Sequence, residues 1–178
     1  MEPNINGFTL KGLKTMMGRD GYMINCTLLF NGKKCGDFLD QGDGSEYTFY
    51  PAEGFTQRGI ENALRRFPLI DTHDEELNLP PIHWNIGILV DRLIGIKETL
   101  KEFRKAQKKG YELAIVTNNR TNGYYTVLVP PASSDEALGK VIDNGMRKKG
   151  IDDYSWKRYR TEADLTESYI ELKIDDLR

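Results

Sequence analysis

The chain has 178 residues, 39% hydrophobic and 29% charged, with a formal net charge of −2. That composition supports a buried core and excludes a disordered tail, and no apolar run approaches the ~20 residues that span a bilayer. The opening MEPNING has no basic stretch leading into an apolar one, which predicts no secretory leader, and two cysteines, Cys26 and Cys35, without CxxC spacing suit a reducing cytosol.

Residues 8–50 read as an antiparallel meander. Phe8–Lys14 is followed by the turn Gly18-Arg19-Asp20-Gly21. Tyr22–Phe30 alternates strictly, with Tyr22, Ile24, Cys26, Leu28 and Phe30 on one face. Asn31-Gly32 is the hairpin signal of a type I′ turn, which needs positive φ at both positions. Lys33–Leu39 returns, Asp40–Gly44 turns, and Glu46–Tyr50 closes the meander. A short helix is predicted at 56–67, capped by Thr56 and ended before Pro68. An acidic, Pro-containing connection fills 68–83.

Asn85–Lys109 carries apolar residues at 86, 89, 93, 96, 100 and 103, the stripe of an amphipathic helix. Gly87, Asp91 and Gly95 line a small-residue strip along it, where another backbone has room to approach. Tyr111–Asn118 and Tyr124–Pro130 read as strands joined by an Asn/Gly turn. Ser134–Lys149 reads as a helix and Tyr154–Arg160 as a strand. The acidic segment 161–178 fits either a helix from Thr161 or a strand at Tyr169–Ile174. The sum is an α+β protein: an N-terminal antiparallel β-meander, a long central helix and a C-terminal ββαβ unit. A single domain over 1–178 is expected, with possible lobes at 1–70 and 84–178.

Charge is unevenly placed. Residues 1–96 and 161–178 each carry a net −4, and residues 97–160 carry +6. On the long helix Lys97, Lys101, Arg104, Lys105, Lys108 and Lys109 form a basic band opposite the apolar stripe. Cations at a helix C-terminus complement its dipole, but that effect fades within the last turn and leaves Lys97 and Lys101 unexplained. Arg147, Lys148 and Lys149 form a second cluster. In a strand, Tyr154, Trp156, Arg158 and Arg160 share a face, and aromatics interleaved with arginine suit stacked bases and phosphate. The competing reading is a solvated rim of amphipathic side chains covering the core.

Catalytic signals are sparse. His73 and His83 lie near Asp71, Asp74, Glu75 and Glu76, but their spacing matches no metal signature, so a solvated acidic loop is the simpler reading. Cys26 falls on an apolar strand face and reads as buried and inert. Cys35 stands beside Lys33 and Lys34 and reads as structural too. Gly42-Asp43-Gly44 joins strand to strand and is a hairpin turn, not a phosphate loop. Glu171 and Lys173, two apart, share a face if their segment is a strand. With Asp152 or Asp164 upstream they would make a Mg²⁺-dependent nuclease, the one reading that calls for a cofactor.

The stretch FTLKGLKTMMGRDGYMINCTLLFNGKKCGDFLDQGDGSEYTF resembles small proteins carried by bacteriophages and other mobile elements. The resemblance rests on Leu10–Thr15, Gly18–Gly21, Thr27–Lys34 and Asp40–Gly44, and extends to KKGYELAIV and a strand ending in VPP. It carries no catalytic residue. It implies a setting in the host bacterial cytosol, such as that of anti-CRISPR proteins, with a host effector nuclease or its guide RNA or DNA as partner. The reading is then a non-catalytic protein inhibiting a nucleic-acid-handling defence complex through Lys97, Lys101, Arg104, Lys105, Lys108, Trp156, Arg158 and Arg160. The rivals are the nuclease and a self-associating phage protein, for which the long helix's seam suggests a homodimer.

Overall fold

The computed structural model describes residues 4–70, 80–121 and 123–178. The fold is α+β, and the chain divides into two compact units. Among these residues the first holds 4–70, 81–97 and 166–178; the second holds 80, 98–121 and 123–165. No described helix is long and apolar enough to cross a membrane.

In the first unit β1 (Phe8–Met17), β2 (Tyr22–Phe30), β3 (Lys33–Asp40) and β4 (Thr48–Pro51) form an antiparallel meander in chain order. Asn31 and Gly32 have φ of 48° and 80°, as the I′ hairpin requires. β1 runs three residues further than its apolar pattern suggests. A register shift between Lys11 and Lys14, with Gly12 at φ 65°, lets Lys14–Met17 keep pairing with Tyr22–Asn25. Phe8, Leu10, Ile24, Cys26, Leu28, Phe30, Phe38 and Phe49 make a buried inner face. Ile60, Ala63 and Leu64 of α1 (Gln57–Leu64) are buried as well, as are Ile86, Leu89, Val90 and Leu93 of α2 (Ile86–Lys108). Thr56 caps α1 by accepting from the Gly59 N–H at 2.9 Å.

Gly87 on α2 makes room for a ring. A Cβ there would sit 2.9 Å from Cε1 of Tyr47, whose hydroxyl donates to Glu61 at 3.0 Å. The segment 161–178 becomes neither the long helix nor the strand. It forms 3-10 turns at Glu162–Leu165 and Ile174–Leu177 with extended chain between them. Glu167 exchanges backbone bonds with Asn4 and Asn6, after which the Asn6 side chain bonds Tyr169 N–H and the Ile170 carbonyl. A side chain thus takes the place of a ladder, and no strand propagates.

In the second unit β5 (Glu112–Asn118) is central, flanked antiparallel by β6 (Tyr124–Val129) and β7 (Tyr154–Tyr159). α3 (Asp135–Lys148) lies on one face through Leu138, Ile142 and Met146, spaced by four. They pack with Ala114, Val116 and Val129, and with the half-buried Tyr125, Val127, Tyr154 and Trp156. Ser134 caps α3, and its acidic first turn and basic last turn both suit the helix dipole.

Candidate nucleic-acid interface

Residues 97–108 of α2 put their apolar side, Leu100, Phe103 and Ala106, into the protein and their lysines outward. The cations along this band differ in what they touch. Lys97 is half-buried, and its Nζ donates to the Leu10 carbonyl at 2.7 Å. Arg104 pairs with Glu162 at 2.8 Å, and that guanidinium holds the Glu162 carboxyl down to about 2. Lys105 pairs with Glu102 at 2.6 Å, one turn back. Lys101, Lys108 and Lys109 are exposed, and their side chains engage no described residue. Lys101 and Lys108 stand two turns apart on one side of the helix.

The aromatic and arginine strand is built differently. Trp156 lies opposite Val116 and packs, half-buried, on the α3 cluster. Two residues along on the same face, the Arg158 side chain is only 5% exposed. Its guanidinium meets Glu112 at 2.6 Å, Asp135 at 2.7 Å and the Ser133 carbonyl at 2.8 Å. Arg160 grips Asp135 through both carboxylate oxygens, at 2.7 and 2.8 Å. Bonds from Arg158, then Arg160, hold the Asp135 carboxyl below the usual carboxylate range. Two arginines are therefore answered by two carboxylates. This network ties the loop before α3 to the sheet. Its partners left little trace in the sequence: Glu112 opens a strand and Asp135 is an ordinary first-turn acid.

The cluster Arg147, Lys148 and Lys149 stands apart from the α2 band. α2 ends beside the Glu112 end of the sheet, whereas Tyr154 of β7 pairs with Asn118 at the far end. α3 ends just before Tyr154, with Lys149 lying 4.7 Å over the Tyr125 ring. About 20 Å of strand separates the two ends. Arg147 and Lys148 are exposed.

Glu171 and Lys173 are exposed in the extended stretch of the first unit. Asp164 belongs to the second unit, where its carboxylate accepts from the N–H groups of Arg160 and Thr161 at 2.7 and 2.8 Å and lies below its ordinary range. Asp152 is exposed and pairs with Arg120. Among the described residues no group of three His, Cys, Asp or Glu is placed to hold a metal. Asp71, His73, Asp74, Glu75 and Glu76 lie outside the described residues, and His83 is exposed. Cys26 and Cys35 are buried free thiols, each pushed up to about 11 by burial, which makes both poor nucleophiles.

No protein-family model matches the chain, nor does any curated protein or solved structure.

Proposed function

We propose that the protein is a non-catalytic interaction protein that binds the nucleic acid of a nucleic-acid-handling complex through the solvent side of α2. The observation that carries this reading is the exposed set Lys101, Lys108 and Lys109, which has no carboxylate answering it among the described residues. Lys105 lies between them, held only by a neighbour on its own helix, and such exposed pairs exchange readily for a phosphate. The contact is a phosphate contact without base reading, because lysine ammonium groups are point charges without a bidentate fork.

The test is fluorescence anisotropy with labelled single-stranded RNA and duplex DNA, with and without Mg²⁺, at several salt concentrations. Three to four phosphate contacts predict log K falling against log salt with a slope of about −3 for the duplex. The double variant Lys101→Glu, Lys108→Glu should remove most of that binding. Binding that survives the charge reversal, or no binding at low salt, overturns the proposal. Mg²⁺-dependent cleavage lost in Glu171→Ala would establish the nuclease in its place.

A further inference from the structure

Among the described residues each of the two sheets ends in two edge strands, and three of these four edges carry devices that discourage pairing with another chain. β1 has Lys11, Lys14 and a bulge. β4 is four residues long and ends in Pro51. β7 carries Lys157 and Arg158. The fourth edge, β6, has none of these. Its sequence YYTVLV is uncharged, free of proline and glycine, and evenly paired to β5 throughout. Every residue in it is β-branched, aromatic or leucine, and Tyr124 and Leu128 are 63% and 46% exposed.

The bonding pattern shows which backbone groups β6 leaves open. Asn118 N–H donates to the Gly123 carbonyl at 2.8 Å, so that pair is hydrogen-bonded. Alternation then turns Tyr125, Val127 and Val129 toward β5 and leaves the N–H and C=O groups of Tyr124, Thr126 and Leu128 facing outward.

We propose that β6 is a self-association edge, at which a second copy of this chain pairs antiparallel about a two-fold axis at Thr126 and joins the two three-stranded sheets into one. The strand is complementary to itself in that register. Thr126 meets Thr126 of the second copy, Tyr124 meets its Leu128, and Tyr125 meets its Val127. Thr–Thr and aromatic–aliphatic pairs are the cross-strand combinations that stabilise antiparallel sheets. No charge falls on the axis, where Thr126 faces its own copy.

The flank of α3 above β6 supports the same partner. Gly139 lies against Trp156, and Asp143 accepts from the Tyr154 hydroxyl, so that side of the helix faces β7. The opposite side, over β6, carries Ala137, Val141 and Gly145 at four-residue spacing. Val141 is 62% exposed, and nothing stands within 4 Å of where a Gly145 side chain would be. In the paired arrangement the two α3 helices run antiparallel, about 14 Å apart across three strand spacings. The Val141 side chains point into that gap above Tyr125 and Val127. The acidic first turn of each helix, Asp135 and Glu136, lies toward the basic last turn of the other, Arg147 and Lys148.

The experiment is sedimentation velocity on the full chain from about 1 to about 500 µM, since a six-residue edge is smaller than the standard interface and its occupancy follows concentration. Wild type should shift from monomer to dimer across this range. Thr126→Lys should remain monomeric throughout, with an unchanged far-UV spectrum because Thr126 is exposed. Thr126→Glu should do the same. An equimolar mixture of the two should dimerise, because the axis sets Lys opposite Glu. A wild-type monomer at all concentrations overturns the proposal. So does a dimer that survives Thr126→Lys, or a mixture that stays monomeric.

Discussion

Replacing Arg158 by Met separates a structural arginine from a binding one. The substitution keeps most of the aliphatic stem on the face shared with Trp156 and deletes the guanidinium. Four acceptors then lose a partner, one of them the Pro131 carbonyl at 3.5 Å. Asp135 is exposed and keeps both hydrogen bonds from Arg160, and the Ser133 and Pro131 carbonyls sit on a loop, so all three are readily satisfied. Glu112 is different. Its side chain is 19% exposed, and its remaining cation is Arg160 Nε at 3.9 Å. Orphaning one member of a fully buried pair costs ~3–5 kcal/mol, and the partial exposure of Glu112 with its distant reserve cation reduces this to about 2 kcal/mol. At about 2–4 °C per kcal/mol for a chain of this size, the melting temperature should fall by about 4–8 °C. Calorimetry reads the transition, and a Trp84→Phe background leaves Trp156 as the fluorescent reporter beside the mutated site. The companion double variant Arg158→Met, Glu112→Gln removes the orphaned charge and should recover at least half of the loss. Nucleic-acid affinity below the melting range should be unchanged. An Arg158→Met protein as stable as wild type, with binding to RNA or DNA abolished, would refute this account and make Arg158 an interface cation.

The cysteines and one glycine give further expectations. With Cys26 and Cys35 raised from 9.0 to about 11, both remain thiols at pH 8 and should resist iodoacetamide until the chain unfolds, as followed by mass spectrometry. The unfolded chain releases these protons near pH 9 and the folded one near 11, so the folded state holds more protons between them. Stability should therefore fall as pH rises through that window, and Cys26→Ala, Cys35→Ala should flatten the fall in pH-resolved urea melts. Gly59 lies under the last residues of the chain, where a Cβ would come 2.4 Å from the Arg178 carbonyl oxygen and 2.7 Å from that of Leu177. Gly59→Ala, a change that ordinarily favours a helix, should here lower stability by about 1–3 kcal/mol in a urea titration.

Elements with a strong local period were legible from the residues. Tyr22–Phe30 alternates and is β2 to the residue; the 3-4 spacing after Asn85 is α2; Thr56 and Ser134 cap the helices they precede. Where structure depends on a distant partner, the sequence was silent. β1 extends past its apolar pattern because β2 is there to pair with it, and the chain after Leu165 takes its course from Asn4 and Asn6. The candidate site divides in the same way. Outward lysines on a helix follow from periodicity, so Lys101 and Lys108 were identifiable. The partners of Arg158 and Arg160 sit 23 to 46 residues away in sequence, and no local pattern announces them.

A net charge of +6 over residues 97–160 thus overstates the field a ligand meets. Arg104, Arg120, Lys140, Arg158 and Arg160 are each matched by a carboxylate within 4 Å, and a matched pair attracts a polyanion only weakly beyond a Debye length of about 8 Å. Among the described residues, what is left for a partner is a short row on α2, Lys157 on β7 (whose Nζ donates to a backbone carbonyl) and, at the other end of the sheet from α2, the last turn of α3. The α2 row and the β6 edge use no residue in common, so the two proposals fail separately. Lys101→Glu, Lys108→Glu should abolish retention of nucleic acid and leave the monomer–dimer equilibrium where it was. Thr126→Lys should abolish the dimer and keep the salt slope per chain, losing only the avidity that two linked sites add on a long strand. If Thr126→Lys lowered the slope itself, phosphate contacts would depend on the dimer, and α2 alone would not be the binding surface.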